Sequence, residues 1–67
     1  MKTIKTYTDG GRVVEALGVE ISANRNGSVN RLSDWGRTDE LVAAGVLRRE
    51  VWKGSGLYGH DTYFLEV

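Results

Sequence analysis

Thr38-Asp39-Glu40-Leu41-Val42-Ala43-Ala44-Gly45-Val46-Leu47-Arg48-Arg49-Glu50 is the stretch on which the fold reading turns. Asp39 and Glu40 suit the positive end of a helix dipole. Leu41 and Val42 supply an inward face, and Gly45 sits where a helix ends on a left-handed residue. Val46 and Leu47 then begin an extended run. Two segments, Val46 to Lys53 and Thr62 to Val67, read as a β-hairpin. A period of two places Leu47, Arg49, Val51 and Lys53 on one side of the first strand. Val46, Arg48, Glu50 and Trp52 take the other. On the return strand Tyr63, Leu65 and Val67 oppose Thr62, Phe64 and Glu66. Leu47 and Val51 with Tyr63, Leu65 and Val67 make the expected core side, which leaves Trp52 and Phe64 opposite. The connecting loop, Gly54 to Asp61, is glycine-rich and expected to be mobile.

Upstream, Lys2 to Thr8 alternates weakly and is rich in threonine, isoleucine and tyrosine, which favour a strand. Asp9-Gly10-Gly11 breaks it. Arg12 to Gly18 allows two readings. Val13, Val14 and Leu17 follow helical spacing, with Asp9 as N-cap and Gly18 as the closing residue. Alternatively Asp9-Gly10 is a hairpin turn and Arg12 to Leu17 returns as a strand. The helix is the favoured reading. Val19 and Ile21 suggest a short extended piece, and Asn24-Arg25-Asn26-Gly27 is a turn. Val29, Leu32 and Trp35, spaced three apart, fit one face of a short helix capped by Ser28 or Asn26. The expectation is one small α+β domain over residues 1–67. It comprises an N-terminal strand, two or three short helices and a C-terminal hairpin.

Sixty-seven residues bury only about 60% of the surface of their unfolded chain, so the core is thin. There is no cysteine, and one histidine, His60, cannot by itself build a zinc site. No metal or cofactor is expected. No apolar run reaches the roughly 20 residues of a membrane span, and Met-Lys-Thr-Ile-Lys lacks the apolar centre of a secretory leader. A cytoplasmic protein without membrane contact is the expectation. Nine basic residues balance nine acidic ones, although residues 25–53 hold six basic against four acidic.

The order helix, glycine, Val-Leu, paired arginines and hairpin resembles the closing section of winged helix-turn-helix DNA-binding domains. That resemblance implies a recognition helix in the major groove and a wing on the backbone. Ser28 to Gly36 would match the helix before the turn, and Arg12 to Leu17 the first helix. It implies Arg37 at base edges or phosphate, with Arg48, Arg49 and Lys53 on the backbone, where guanidinium groups match phosphate geometry. The chain departs from that pattern in carrying Asp39 and Glu40 on the would-be recognition helix. Arg48 and Arg49 also suit cross-strand pairing with Glu66 and other carboxylates.

The alternative is a protein-binding module, an inhibitor or accessory subunit of a larger machine. Trp52 and Phe64, with Tyr58, would form its aromatic patch, because tryptophan, tyrosine and arginine dominate interface hot spots. The balanced charge suits this reading. A homodimer through an open hairpin edge is compatible with either. An enzyme is not expected. Ser33 and Ser55 have no histidine at an arguable spacing, Gly54-Ser55-Gly56 is no phosphate-binding loop, and a chain this short leaves little room for a small-molecule substrate pocket.

Overall fold

The computed structural model describes residues 1–54 and 59–66. Six strands and one short helix follow in order: β1 (Lys2–Thr6), β2 (Arg12–Ala16), β3 (Val19–Ala23), β4 (Val29–Leu32), α1 (Thr38–Ala43), β5 (Leu47–Glu50) and β6 (Thr62–Leu65). A single 3-10 turn, Trp35–Arg37, leads into α1. Strands β1 to β4 form an antiparallel meander, and β5 pairs with β6. The two parts join where Ser28 bridges Phe64 and the Leu65 amide donates to the Gly27 carbonyl at 2.8 Å.

This architecture corrects the expected one. The molecule is mostly antiparallel sheet with one short α-helix, not a multi-helix α+β domain of winged-helix type. The two helices expected upstream are both strands, each for a definable reason.

Residues 12–16 pair with 19–23 in a regular register, from Arg12 opposite Ala23 to Ala16 opposite Val19. Leu17 and Gly18 alone close this hairpin, with φ of 53° and 79°. Two positive φ values in a two-residue loop match the right-handed twist of the flanking strands. Gly18 therefore has the left-handed backbone expected of it, but in a hairpin turn. Leucine is a poor occupant of that region, where an L-residue pays roughly 1–2 kcal/mol. Leu17→Asn is expected to stabilise the protein by about 1 kcal/mol, because asparagine visits this region readily and Asn-Gly is the favoured pair. Chemical denaturation measures it, and an unchanged or lower midpoint would count against the turn geometry.

The second misread element is β4. Ile21 faces Leu32 and Ser22 faces Arg31, but Ala23 faces Val29, so Asn30 is an extra residue. A β-bulge of this kind shifts the pleat by one position. Val29 and Leu32, three apart, consequently both pack on the core side. Their spacing imitates a helix. Ser28 caps no helix; its amide and hydroxyl both donate to Asn26 Oδ1, at 3.0 and 2.6 Å, within the β3–β4 turn.

The C-terminal reading survives in outline. Asp39 and Glu40 occupy the first turn of α1. Gly45 has φ of 77°, its amide donates to the Val42 carbonyl, and the Val46 amide donates to the Leu41 carbonyl. That pair of bonds is a Schellman cap, which turns the chain directly into β5. Strand β5 stops at Glu50, however, so Val51 is exposed instead of facing the core. Val67, assigned to the same side, lies outside the described residues, as do residues 55–58 of the expected mobile loop.

One core serves both parts. Val14, Ala16, Val19, Ile21 and Leu32 from the meander meet Leu41 of α1 and Leu47 of β5. Val46, Tyr63 and Leu65 pack around them half-buried. Strand β1 contributes nothing to this core, being exposed along its whole length.

Candidate functional site

The four cations named as nucleic-acid contacts start from Arg37, at the end of the 3-10 turn. Its Nε donates to Glu40 Oε2 at 2.8 Å, one turn further along. Arg48 lies opposite Phe64 in the hairpin register, with its guanidinium 4.8 Å from that ring. Its Nε also forms an ion pair with Glu66 Oε1 at 2.9 Å. Arg49 lies opposite Tyr63, donates to the Tyr63 hydroxyl at 3.2 Å and pairs with Asp39. Lys53 is exposed beyond the end of β5.

Three of the four are thus neutralised by carboxylates of their own chain. The effect shows in the titration of the Arg37–Glu40 pair and of Arg49. The hydrogen bond from Arg37 lowers the Glu40 carboxyl, and the same bond raises Arg37. Bonds to Asp39 first, and Tyr63 second, raise Arg49. Because the folded value of Glu40 is lowered, its support of the first helical turn is present at neutral pH and lost as acid takes the carboxyl through that value. A phosphate approaching these arginines would meet guanidinium groups whose charge is already offset by a carboxylate of the same chain.

The aromatic candidates are spread out. Phe64 is half-buried beneath Arg48. Trp52 is half-exposed, its amide donates to Asp61 Oδ1 at 2.9 Å, and the backbones of Gly54 and Gly59 lie close against its indole. That places Trp52 as a clasp at the base of the hairpin loop. Strand β1 lies at the far edge of the meander, away from these rings. Tyr58 lies outside the described residues.

The structure adds an aromatic that the sequence reading had placed on a helix face. Trp35 opens the 3-10 turn and remains 52% exposed. Asp34 fixes that turn by accepting from the Gly36 amide at 3.0 Å. The Trp35 ring lies 6.5 Å from Tyr63, tilted by 54°. Tyr63 carries Arg49 over its own ring at 5.4 Å, and Arg49 holds Asp39. Trp35, Tyr63, Arg49 and Asp39 therefore form one connected chain of contacts, with the Arg37–Glu40 pair beside it in sequence.

This arrangement has an exposed ring, a supporting ring and fixed, charge-compensated neighbours. Among the described residues no group of three or more histidines and carboxylates converges as a metal site would require. Among the described residues no helix is long and apolar enough to cross a membrane. No family model, no curated protein and no solved structure matches this chain.

Proposed function

We propose that this chain is a non-enzymatic protein-binding module that contacts its partner through the Trp35–Tyr63 face. The observation that carries the reading is the half-exposed Trp35 indole, held against Tyr63 and bordered by ion pairs that are already closed. Interface hot spots are rich in tryptophan, tyrosine and arginine, and a ring held in place loses little freedom on binding. Neutralised neighbours add no cost of stranding a bare charge when the face is covered. The nucleic-acid reading draws less support, because Arg37, Arg48 and Arg49 each have a carboxylate partner and binding to phosphate rests on free cations.

The test compares the wild-type chain with Trp35→Ala, each immobilised and exposed to extract of its source cells. A partner retained by the wild type is expected to bind Trp35→Ala about tenfold more weakly, the loss of one hot-spot side chain. Equal retention by both would remove Trp35 from the interface. In parallel, duplex DNA at low salt is expected to leave the amide spectrum unchanged. Salt-reversible shifts at Arg48 and Arg49 would instead restore the nucleic-acid reading.

A further inference from the structure

The charges of this neutral chain are not evenly placed. Residues 1–33 carry five basic side chains against three acidic, and residues 34–67 carry four against six. The four ion pairs among the described residues all lie within residues 37–66. On the meander, Lys5, Arg25 and Arg31 have no carboxylate within 4.0 Å among the described residues.

These three cations belong to the sheet face turned away from the core. The register sets Lys5, Val13, Ser22 and Arg31 in one row across all four strands. Lys5 Nζ sits 4.7 Å over the Tyr7 ring. Two adjoining hollows run along this face, of about 330 and about 240 Å³, and Tyr7 and Ser22 line both. Arg31 and Glu20 line the larger, and Arg25 and Asp9 the smaller, without either arginine coming within ion-pair distance of a carboxylate among the described residues. The alkyl chain of Arg25 is itself held close over Gly10, where an added Cβ would come within 2.9 Å of its Cγ. The face is concave and polar, with cations and carboxylates side by side and unpaired among the described residues.

We propose that this outer face of the meander receives an acidic, extended peptide segment of a protein partner. The proposal is independent of the Trp35 face and concerns a second contact surface. Charge complementarity favours separate anionic groups at the unpaired cations, and the neighbouring carboxylates Asp9, Glu15 and Glu20 select a ligand whose charges are spaced. Lys2, Glu15 and Glu20 align next to the cationic row, and Glu20 also lines the larger hollow. A nucleic-acid strand crossing the sheet would bring its regular phosphates against Glu15 and Glu20. A peptide can place carboxylates at Arg25 and Arg31 while presenting neutral backbone to Ser22 and Ser33. A single ring, Tyr7, also falls short of the successive aromatics on which single strands stack.

The probe is a serine-glycine decapeptide carrying two spaced glutamates, titrated into the full chain at low salt and followed by amide shifts. Expected shifts cluster at Lys5, Tyr7, Ser22 and Arg31 and are reversed by salt. Arg25→Ala combined with Arg31→Ala is expected to weaken binding about tenfold, through loss of two charge-assisted contacts. Arg31→Gln, which keeps the packing stem, checks that any loss is not a folding defect and is expected to weaken binding in the same direction. Arg48→Ala, whose charge is spent on Glu66, is expected to leave the affinity unchanged. The proposal is overturned by absent shifts, by shifts confined to Trp35 and α1, or by undiminished binding to the Arg25 and Arg31 variants. Tighter binding of a single-stranded oligothymidine through the same residues would also overturn it.

Discussion

Ile21→Ala is expected to lower the melting temperature by about 12–24 °C, because it removes about 3 kcal/mol from a domain of this size. Ile21 is fully buried at the centre of the meander. It lies opposite Val14 on one side and Leu32 on the other, and both are core residues. A buried isoleucine cut to alanine loses the transfer energy of its side chain and leaves a cavity. Neighbours in hydrogen-bonded strands have little freedom to close such a cavity. At about 0.05–0.15 kcal/mol per residue, the whole chain has only about 3–10 kcal/mol to lose. Ile21→Val, which removes one methyl group, should cost about 1 kcal/mol. Thermal unfolding followed by circular dichroism checks both. A drop below about 5 °C for Ile21→Ala would mean that the meander is not packed as described.

The hairpin and α1 were legible because several local signals agree there. Asp39 and Glu40 mark a start, Gly45 a stop, and the alternation after Val46 has no helical rival. The upstream half was not legible, because its signals are degenerate. Gly18 and Gly45 have nearly the same φ, 79° and 77°, yet one closes a hairpin and the other a helix. A glycine after an apolar run reports only left-handed backbone, not what precedes it. The available discriminator was symmetry about Leu17-Gly18. Val14 and Ala16 before it answer Val19 and Ile21 after it, the pattern of two strands sharing one face. For β4 no discriminator existed. The bulge at Asn30 is set by pairing with Ser22 and Ala23, a tertiary fact that three-residue spacing cannot reveal.

The site was legible by residue type more than by arrangement. Arg48 and Arg49 were correctly placed in the hairpin, and pairing of Arg48 with Glu66 follows from strand order alone. Pairing of Arg49 with Asp39 does not, because it depends on how α1 docks. Trp35 was visible only as one member of a supposed helical stripe. Once β4 ends at Leu32, the same residue has no strand or long helix to bury it, and its exposure follows. The cations of the outer sheet face were hidden for the same reason. Arg25 and Arg31 join Lys5 only after residues 12–16 and 29–32 become strands.

Leu41→Ala is the second large effect, and it tests whether the two halves of the chain are one cooperative unit. Helix α1 has six residues and a single buried side chain, Leu41, which is completely enclosed. A helix this short has no independent stability, since nucleation alone is unfavourable. What holds it is Leu41 in the shared core beside Leu47, together with the bond from the Val46 amide to the Leu41 carbonyl at 3.0 Å. Truncation to alanine is expected to cost about 3 kcal/mol. The helix carries Asp39 and Glu40, so its release would also free Arg49 and Arg37. If the hairpin and helix were an appendage, Leu41→Ala would speed hydrogen exchange only at Ala44, Val46 and the β5–β6 amides. Because Leu41 packs in the same cluster as Val14 and Ile21, exchange is expected to accelerate equally in β2 and β3. Unchanged protection of the β2 and β3 amides would divide the protein into two folding units. The Trp35–Tyr63 face would then belong to a part that unfolds on its own, and its rigidity could no longer be counted in favour of binding.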